Sequence, residues 1–443
     1  MQYFQIIGGQ PLSGEVAVSG SKNAALPIMA ASILAEGPVR LERVPRLTDV
    51  ETLSLVLGEL GVAVRRDEDD SSLWIETVDH NPVHADYELV RRMRASFCVL
   101  GPLLARRGRA VVSLPGGCNI GTRPVDLHLA GLEALGASIR LEAGYVYAET
   151  SRLVGATVPM SGPFGPSVTG TANLLSAAVL AKGQTVITSA AREPEIADLG
   201  EFLISMGAEI TGLVTSTIEI HGVDGLSAVG YQVIPDRIEA ATLLTAAAIT
   251  GGQATVRDAK PAHLTAVLQV LSDMGADVHA VGDTVTIKLQ RRPRPVHLTA
   301  QPYPGVPTDL QSQLMALAAL ADGESVVTDA VFPDRFLHAA ELNRLGARIQ
   351  RRGSTATING VDRLTGTTVM ASDLRASAAL LLAGLAARGE TIVNRIYHLD
   401  RGYERLDEKL AGLGAQIRRC ETDQRESTLP SRVASQPDDV RSA

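Results

Sequence analysis

The sequence predicts an α/β protein of two domains, each built from three copies of one helix–strand unit. Three observations predict it. Two series of glycines recur in phase six times, every unit opens with a helix that is apolar nearly all round, and 443 residues exceed what one hydrophobic core of this kind holds.

The first series is Leu/Met-Gly-Ala/Val, with its glycine at Gly61, Gly136, Gly207, Gly275, Gly346 and Gly414, spaced 75, 71, 68, 71 and 68 residues apart. Each glycine ends an amphipathic helical pattern and precedes a strand-like run, the place where a left-handed residue closes a helix. The second series, Gly37, Gly108, Gly183, Gly252, Gly323 and Gly389, follows the Ala/Leu-rich helices and precedes Val/Ile-rich strands. The unit therefore reads helix, Gly, strand, polar loop, helix, Gly, two strands.

The first helix of each unit, as at 376–387, lacks a polar face and is expected to be buried on all sides; the second, as at 405–413, is amphipathic. Apolar helices belong in the middle, with sheets and amphipathic helices around them. A three-plus-three split follows from the limit on core size. Residues 4–18 carry the strand–turn–strand pattern that elsewhere precedes an apolar helix, and the sixth unit has one strand after its last glycine. The expected domains are thus 1–21 with 234–420, and 22–233, with crossings near residues 20 and 234 that form a two-strand hinge. Residues 421–443 are polar and aperiodic and read as a disordered tail, with Cys420 at its start.

Composition narrows the function. Lys+Arg 41 against Asp+Glu 49 gives a formal charge of −8, and aromatics are 3%, which disfavours non-specific nucleic-acid binding. No apolar run approaches a membrane span and the start has no signal-peptide pattern, so no membrane partner is expected and the location reads as cytoplasmic. Three cysteines without metal-type spacing suit a reducing compartment and no metal or other cofactor.

Polar clusters open the apolar helices: Ser21-Lys22-Asn23, Arg94-Ala95-Ser96, Ser167-Val168-Thr169, Asp236-Arg237, Thr308-Asp309 and Ser372-Asp373-Leu374-Arg375. Strand-to-helix loops carry Arg46, Arg123, Arg192, Lys260, Arg335 and Arg401. Helix N-termini with added cations suit phosphate or carboxylate, so the set points to an anionic ligand. The interval from Gly108 to Gly136 is 28 residues against 23–25 elsewhere, and the excess falls in a glycine-rich loop holding Cys118 and Arg123. A thiol in such a loop, beside a cation, is expected to be exposed and reactive, whereas Cys98, in an apolar helix, is expected in the core.

These motifs together carry a resemblance. Gly-Ser-Lys22-Asn23-Ala-Ala-Leu, Met-Arg94-Ala-Ser, Pro-Gly-Gly-Cys118, Arg123-Pro-Val-Asp-Leu-His, Ala-Arg-Glu-Pro-Glu-Ile, Pro-Asp-Arg-Ile-Glu, Pro-Thr-Asp309-Leu-Gln, Ser-Asp-Leu-Arg375-Ala-Ser and Asp-Arg401-Gly-Tyr-Glu resemble the UDP-N-acetylglucosamine 1-carboxyvinyltransferase family of enolpyruvyl transferases. They stand in family order over residues 1–420. The resemblance implies a fold of two inside-out α/β barrels of three repeats each, with the active site in the cleft between them. It also implies transfer of the enolpyruvyl group of phosphoenolpyruvate to the 3-hydroxyl of UDP-N-acetylglucosamine, with release of phosphate. This is the first committed step of peptidoglycan synthesis, tied to cell shape and division and blocked by fosfomycin.

In that resemblance Cys118 looks like the general acid for the methylene carbon and forms a covalent adduct with phosphoenolpyruvate. Asp309 looks like the base near the sugar hydroxyl. Lys22, Arg123 and Arg401 look like the clamp on phosphate and carboxylate, with Asn23 and Arg94 in the same cleft and Arg335 and Arg375 as further cations that are equally compatible with a structural role. Arg94, the run Arg123, Pro124, Val125, Asp126 and Leu127, then Ser167, Val168, Thr169, Asp309 and Val331 match positions that hold the UDP-sugar. The third unit departs from the common pattern in Ser-Val-Thr169-Gly-Thr-Ala-Asn, as does Ala240-Ala241. Three rival readings stand beside this one: a transferase acting on shikimate 3-phosphate, one acting on another nucleotide, and a non-catalytic UDP-sugar-binding regulator.

Overall fold

The computed structural model describes residues 2–68, 71–115 and 125–421. Among these, six four-stranded sheets share one connectivity. The fifth unit shows it plainly. His297–Ala300 runs parallel to Glu324–Asp329, which pairs antiparallel with Thr355–Asn359, which pairs antiparallel with Arg348–Arg352.

The chain start completes this pattern at both ends. In the sixth sheet Gln2–Ile7 lies antiparallel between Glu390–Asn394 and Gln416–Glu421, with Tyr3 opposite both Asn394 and Cys420. Cys420, expected to begin the tail, is therefore inside the last strand. Ser13–Ala17 is the leading parallel strand of the fourth sheet, beside Gln253–Arg257, and Gly230–Gln232 plays that part for the first sheet, beside Val39–Glu42.

The apolar helices take the centre. Arg237–Ile249 is buried along its whole length, and with Gln311–Ala318 and Leu374–Ala386 it forms a three-helix contact within one hydrophobic cluster that also takes in Phe4, Ile6, Leu12, Val16 and Val18. A second cluster, from Ala24 to Val233, is built on Lys22–Ala31, Leu100–Arg107 and Val168–Ala178. Ala at many positions lets the helices approach closely, while Leu fills the gaps; each fully buried Leu is worth about 1.5–3 kcal/mol of transfer free energy. No described helix is long and apolar enough to cross a membrane.

All six glycines of the first series have positive φ, between 73° and 108°, as helix closure requires. The second series holds with one adjustment. In the fourth unit the left-handed residue is Gly251 (φ 72°), while Gly252 is required because a Cβ there would sit 2.1 Å from the Leu12 carbonyl oxygen.

The chain passes between the two clusters along two adjacent segments. Gly20 and Pro235 form an antiparallel bridge; the Ser21 N–H donates to the Ile234 carbonyl at 2.7 Å and the Asp236 N–H to the Ser19 carbonyl at 2.9 Å. A side chain at Gly20 would meet the Arg43 carbonyl oxygen at 1.7 Å.

Candidate active site

A cavity of about 660 Å³ lies where the two clusters face each other, and residues of both line it. Twelve of the residues singled out from the sequence converge there: Lys22, Asn23, Arg94, Asp126, Leu127, Ser167, Val168, Thr169, Asp309, Val331, Arg375 and Arg401. Arg335 joins them. Val125 does not line the cavity; it precedes the helix Asp126–Ala134 and packs on the core. Cys118, Arg123 and Pro124 lie outside the described residues. The reading of all loop cations as one anion-binding set is corrected here: Arg46, Arg192 and Lys260 are absent from the cavity lining, and Lys260 borders a separate surface depression with His263 and Asp283. The loop cations do not share one place in the repeat: Arg46 and Arg192 stand nine residues after the second-series glycine, whereas Arg335 and Arg401, which line the cavity, stand twelve after it.

Lys22 is the first residue of its helix, behind Ser21, whose Oγ accepts the Ala24 N–H. A cation at the positive end of a helix is unfavourable, and Asp49 offsets it. Lys22 Nζ stands 3.1 Å from Asp49 Oδ2, and Arg401 Nε, from the other cluster, stands 2.9 Å from Asp49 Oδ1. Asp49 is buried in the first turn of Thr48–Glu59. One carboxylate thus gathers two cations from opposite walls at the cavity.

Asp309, in the short 3₁₀ turn Thr308–Leu310, has the reverse arrangement. Arg335 Nη1 donates to Oδ1 at 2.8 Å and Arg375 Nη2 to Oδ2 at 2.7 Å. Burial by itself would raise this carboxyl, but the Arg375 and Arg335 guanidiniums hold it well below the usual carboxylate range. Asp309 is therefore ionised, and as a carboxylate it only accepts hydrogen bonds. Arg375 is 1% exposed and lies 5.1 Å from the Tyr403 ring, so it acts from behind Asp309.

The remaining wall is shaped by local caps. Asp329 accepts the Val331 and Phe332 N–H groups at 2.9 and 2.7 Å and the Thr308 hydroxyl at 2.7 Å, fixing the loop that carries Val331 next to Asp309. Ser167 caps Val168–Ala178 through the Gly170 N–H. Thr169 Oγ1 meets His128 Nε2 at 3.1 Å, and His128 Nδ1 meets Asn173 Nδ2 at 2.9 Å, which ties the Asp126–Leu127 segment to this helix. Cys98 also borders the cavity, but burial pushes its thiol up to about 12, so it is inert at neutral pH.

Sequence reasoning gave no role to Asp49, Glu193, Glu195 and Tyr303, all of which line the cavity together with Arg237 of the Asp236-Arg237 cluster. A signal existed for two of them. Asp49, Glu195, Arg335 and Arg401 each stand twelve residues after the second-series glycine of their unit.

Comparisons with known proteins agree with this arrangement. A family profile described as EPSP synthase (3-phosphoshikimate 1-carboxyvinyltransferase) matches residues 6–410. The chain is similar to a curated UDP-N-acetylglucosamine 1-carboxyvinyltransferase of Coxiella burnetii, 53% identical over 416 residues, covering 94% of this chain and 95% of that protein. It is also similar to the protein of that name from Halorhodospira halophila, 51% identical over 419 residues, covering 95% and 99%. Among solved structures, the enolpyruvyl transferase NikO of Streptomyces tendae superposes with a TM-score of 0.85 at 30% identity over 94% of this chain and 98% of its own. An EPSP synthase of Acinetobacter baumannii reaches 0.73 at 20% identity over 95% and 100%, a likeness of fold alone.

Proposed function

We infer the activity from this premise: the chain belongs to the UDP-N-acetylglucosamine 1-carboxyvinyltransferase family, within the enolpyruvyl transferases. It is a transferase that moves the enolpyruvyl group of phosphoenolpyruvate to the 3-hydroxyl of UDP-N-acetylglucosamine and releases phosphate, in peptidoglycan synthesis. The observation that carries this reading is the 53% identity over nearly the whole length of a curated relative of that activity, and the cleft has the chemistry to match.

In the addition step the methylene carbon of phosphoenolpyruvate gains a proton and the sugar oxygen attacks the neighbouring carbon. In the elimination step that methyl carbon gives up a proton and phosphate departs. Lys22 and Arg401, held side by side by Asp49, suit the phosphate and carboxylate; Arg123 completes this clamp. Asp309 takes the hydrogen bond of the attacking hydroxyl, orients its oxygen and accepts its proton as the carbon–oxygen bond forms. Cys118 is the acid for carbon, the site of the covalent adduct, and the target of fosfomycin. The segments Arg94, 124–127 and 167–169 with Val331 hold the UDP-sugar. The two core clusters support a division into 22–233 and 1–21 with 234–420, which close on each other about the Gly20–Pro235 bridge before reaction. The reaction takes place in the cytoplasm.

Phosphate release on mixing phosphoenolpyruvate with UDP-N-acetylglucosamine tests the proposal. Release with that acceptor, and none with shikimate 3-phosphate or UMP, is expected; release with either of the latter instead, or with none of the three, overturns it.

A further inference from the structure

The Ala-Arg-Glu-Pro-Glu-Ile motif has no part in the chemistry above, yet both of its glutamates line the cavity. Glu195 is fully engaged: Arg237, from the opposite wall, donates to it through Nε and Nη2 at 2.9 and 3.2 Å. Glu193 is not. Its Oε1 accepts the Tyr303 N–H at 3.3 Å, again from across the cleft, while its Oε2 is buried and accepts no hydrogen bond. Arg237 is committed to Glu195 and lies 5.4 Å from the Tyr303 ring, so it does not turn to serve Glu193.

We propose that Glu193 is a specificity-determining residue whose Oε2 accepts a hydrogen bond from a hydroxyl or amide N–H on the sugar ring of the bound nucleotide. The proposal rests on the sugar-nucleotide reading of this cleft. A buried carboxylate oxygen without a donor is unfavourable, and a ligand that brings the donor removes the penalty. An anionic ligand group has no place beside two glutamates, so the phosphates lie elsewhere. The sugar, rather than the base, is the nearer part. Tyr303, whose N–H Glu193 accepts, stands six residues before Asp309, the carboxylate assigned to the reacting hydroxyl, and all three line the cavity. Burial raises the Glu193 carboxyl, with the Tyr303 N–H and Arg237 opposing; a donor from the ligand adds to that opposition.

The glutamine variant separates accepting from donating. In Glu193→Gln the amide oxygen stays with the Tyr303 N–H and the NH₂ turns toward the ligand, so a site that needs an acceptor is spoiled and one that needs a donor is kept. Equilibrium binding of UDP and of UDP-N-acetylglucosamine to the full chain is the measurement. Both Glu193→Gln and Glu193→Ala are expected to bind UDP as the natural protein does and UDP-N-acetylglucosamine roughly 10–100-fold more weakly. In a cycle with the 2-deoxy, 4-deoxy and 6-deoxy sugars, one deletion on the sugar should lose its effect once Glu193 is Ala. Natural affinity for UDP-N-acetylglucosamine in Glu193→Gln, or equal losses for UDP and the UDP-sugar, overturns the proposal while leaving the site reading intact. Failure of the natural protein to bind either nucleotide overturns both.

Discussion

The first and fifth units carry opposite charges at the start of the core helix and again twelve residues past the second-series glycine. In the first, a cation stands at the start of the core helix and an acid in the following loop-to-helix turn, Lys22 and Asp49; in the fifth, the acid is at the helix start and the cation follows, Asp309 and Arg335. The position twelve residues past the second-series glycine is acidic at Asp49 and Glu195 in one cluster and basic at Arg335 and Arg401 in the other. Two of these residues join the clusters directly, Asp49 to Arg401 and Glu195 to Arg237. Glycines and apolar faces build six copies of a scaffold. The walls differ where one position changes sign between copies, so that parts made by the same rule attract each other across the cavity.

Disturbing Asp309 should have the largest effect. Asp309→Asn keeps the shape and removes the charge, and turnover should fall about 10²–10⁴-fold with UDP-N-acetylglucosamine affinity little changed; near-natural turnover in steady-state assays removes Asp309 from its role. The same variant tests the ion pairs by stability. Because the Asp309 carboxyl is held low in the folded state, its contribution is complete above the unfolded value near ~4 and is lost as pH falls through the folded value. The melting-temperature gap between natural protein and variant should be constant from pH 8 to 5 and narrow only below about pH 4. A gap that closes near neutrality contradicts the assignment.

Asp49 comes next. Asp49→Ala leaves Lys22 and Arg401 close together without their shared counter-ion, and kcat/KM for phosphoenolpyruvate should drop about 10²–10³-fold, as when one member of a buried pair is deleted. Asp49→Glu should recover part of it. A KM for phosphoenolpyruvate that improves in Asp49→Ala would show that Asp49 competes with the substrate instead of arranging its ligands.

The scaffold was legible in the sequence because it rests on rules of period and conformation. Six left-handed glycines and six apolar helices leave a mark at every repeat, and the strand exchange by Gln2–Ile7 followed from counting strands. The cavity residues at helix starts were legible through their motifs. The partners were less so. An Asp in the first turn of an amphipathic helix, such as Asp49, reads as an ordinary favourable helix-end acid, and nothing local says that its neighbour in space is 352 residues away. Arg375 suited a ligand-binding and a structural role equally in the sequence, and its 1% exposure with its hydrogen bond to Asp309 favours the structural one. That distinction depends on packing between units, which periodicity does not encode. Cys118, Arg123 and Pro124 rest on the motif alone.

A smaller effect separates scaffold from site. Leu381→Ala, in the fully buried stretch of Leu374–Ala386, should cost about 2–5 kcal/mol of stability by leaving a cavity, whereas Leu141→Ala, on an exposed strand position, should stay within about 0.5 kcal/mol. Denaturant unfolding checks both; similar costs for the two would mean that the central helices do not carry the fold.

The meeting of the two walls is tested most directly by a double-mutant cycle on Asp49→Ala and Arg401→Ala, read in kcat/KM for phosphoenolpyruvate. If one carboxylate organises cations from both clusters, the second substitution costs far less once the first is made, with a coupling of about 1–3 kcal/mol. Strict additivity of the two losses would contradict the account, because it would mean that Asp49 and Arg401 act separately in the enzyme at work.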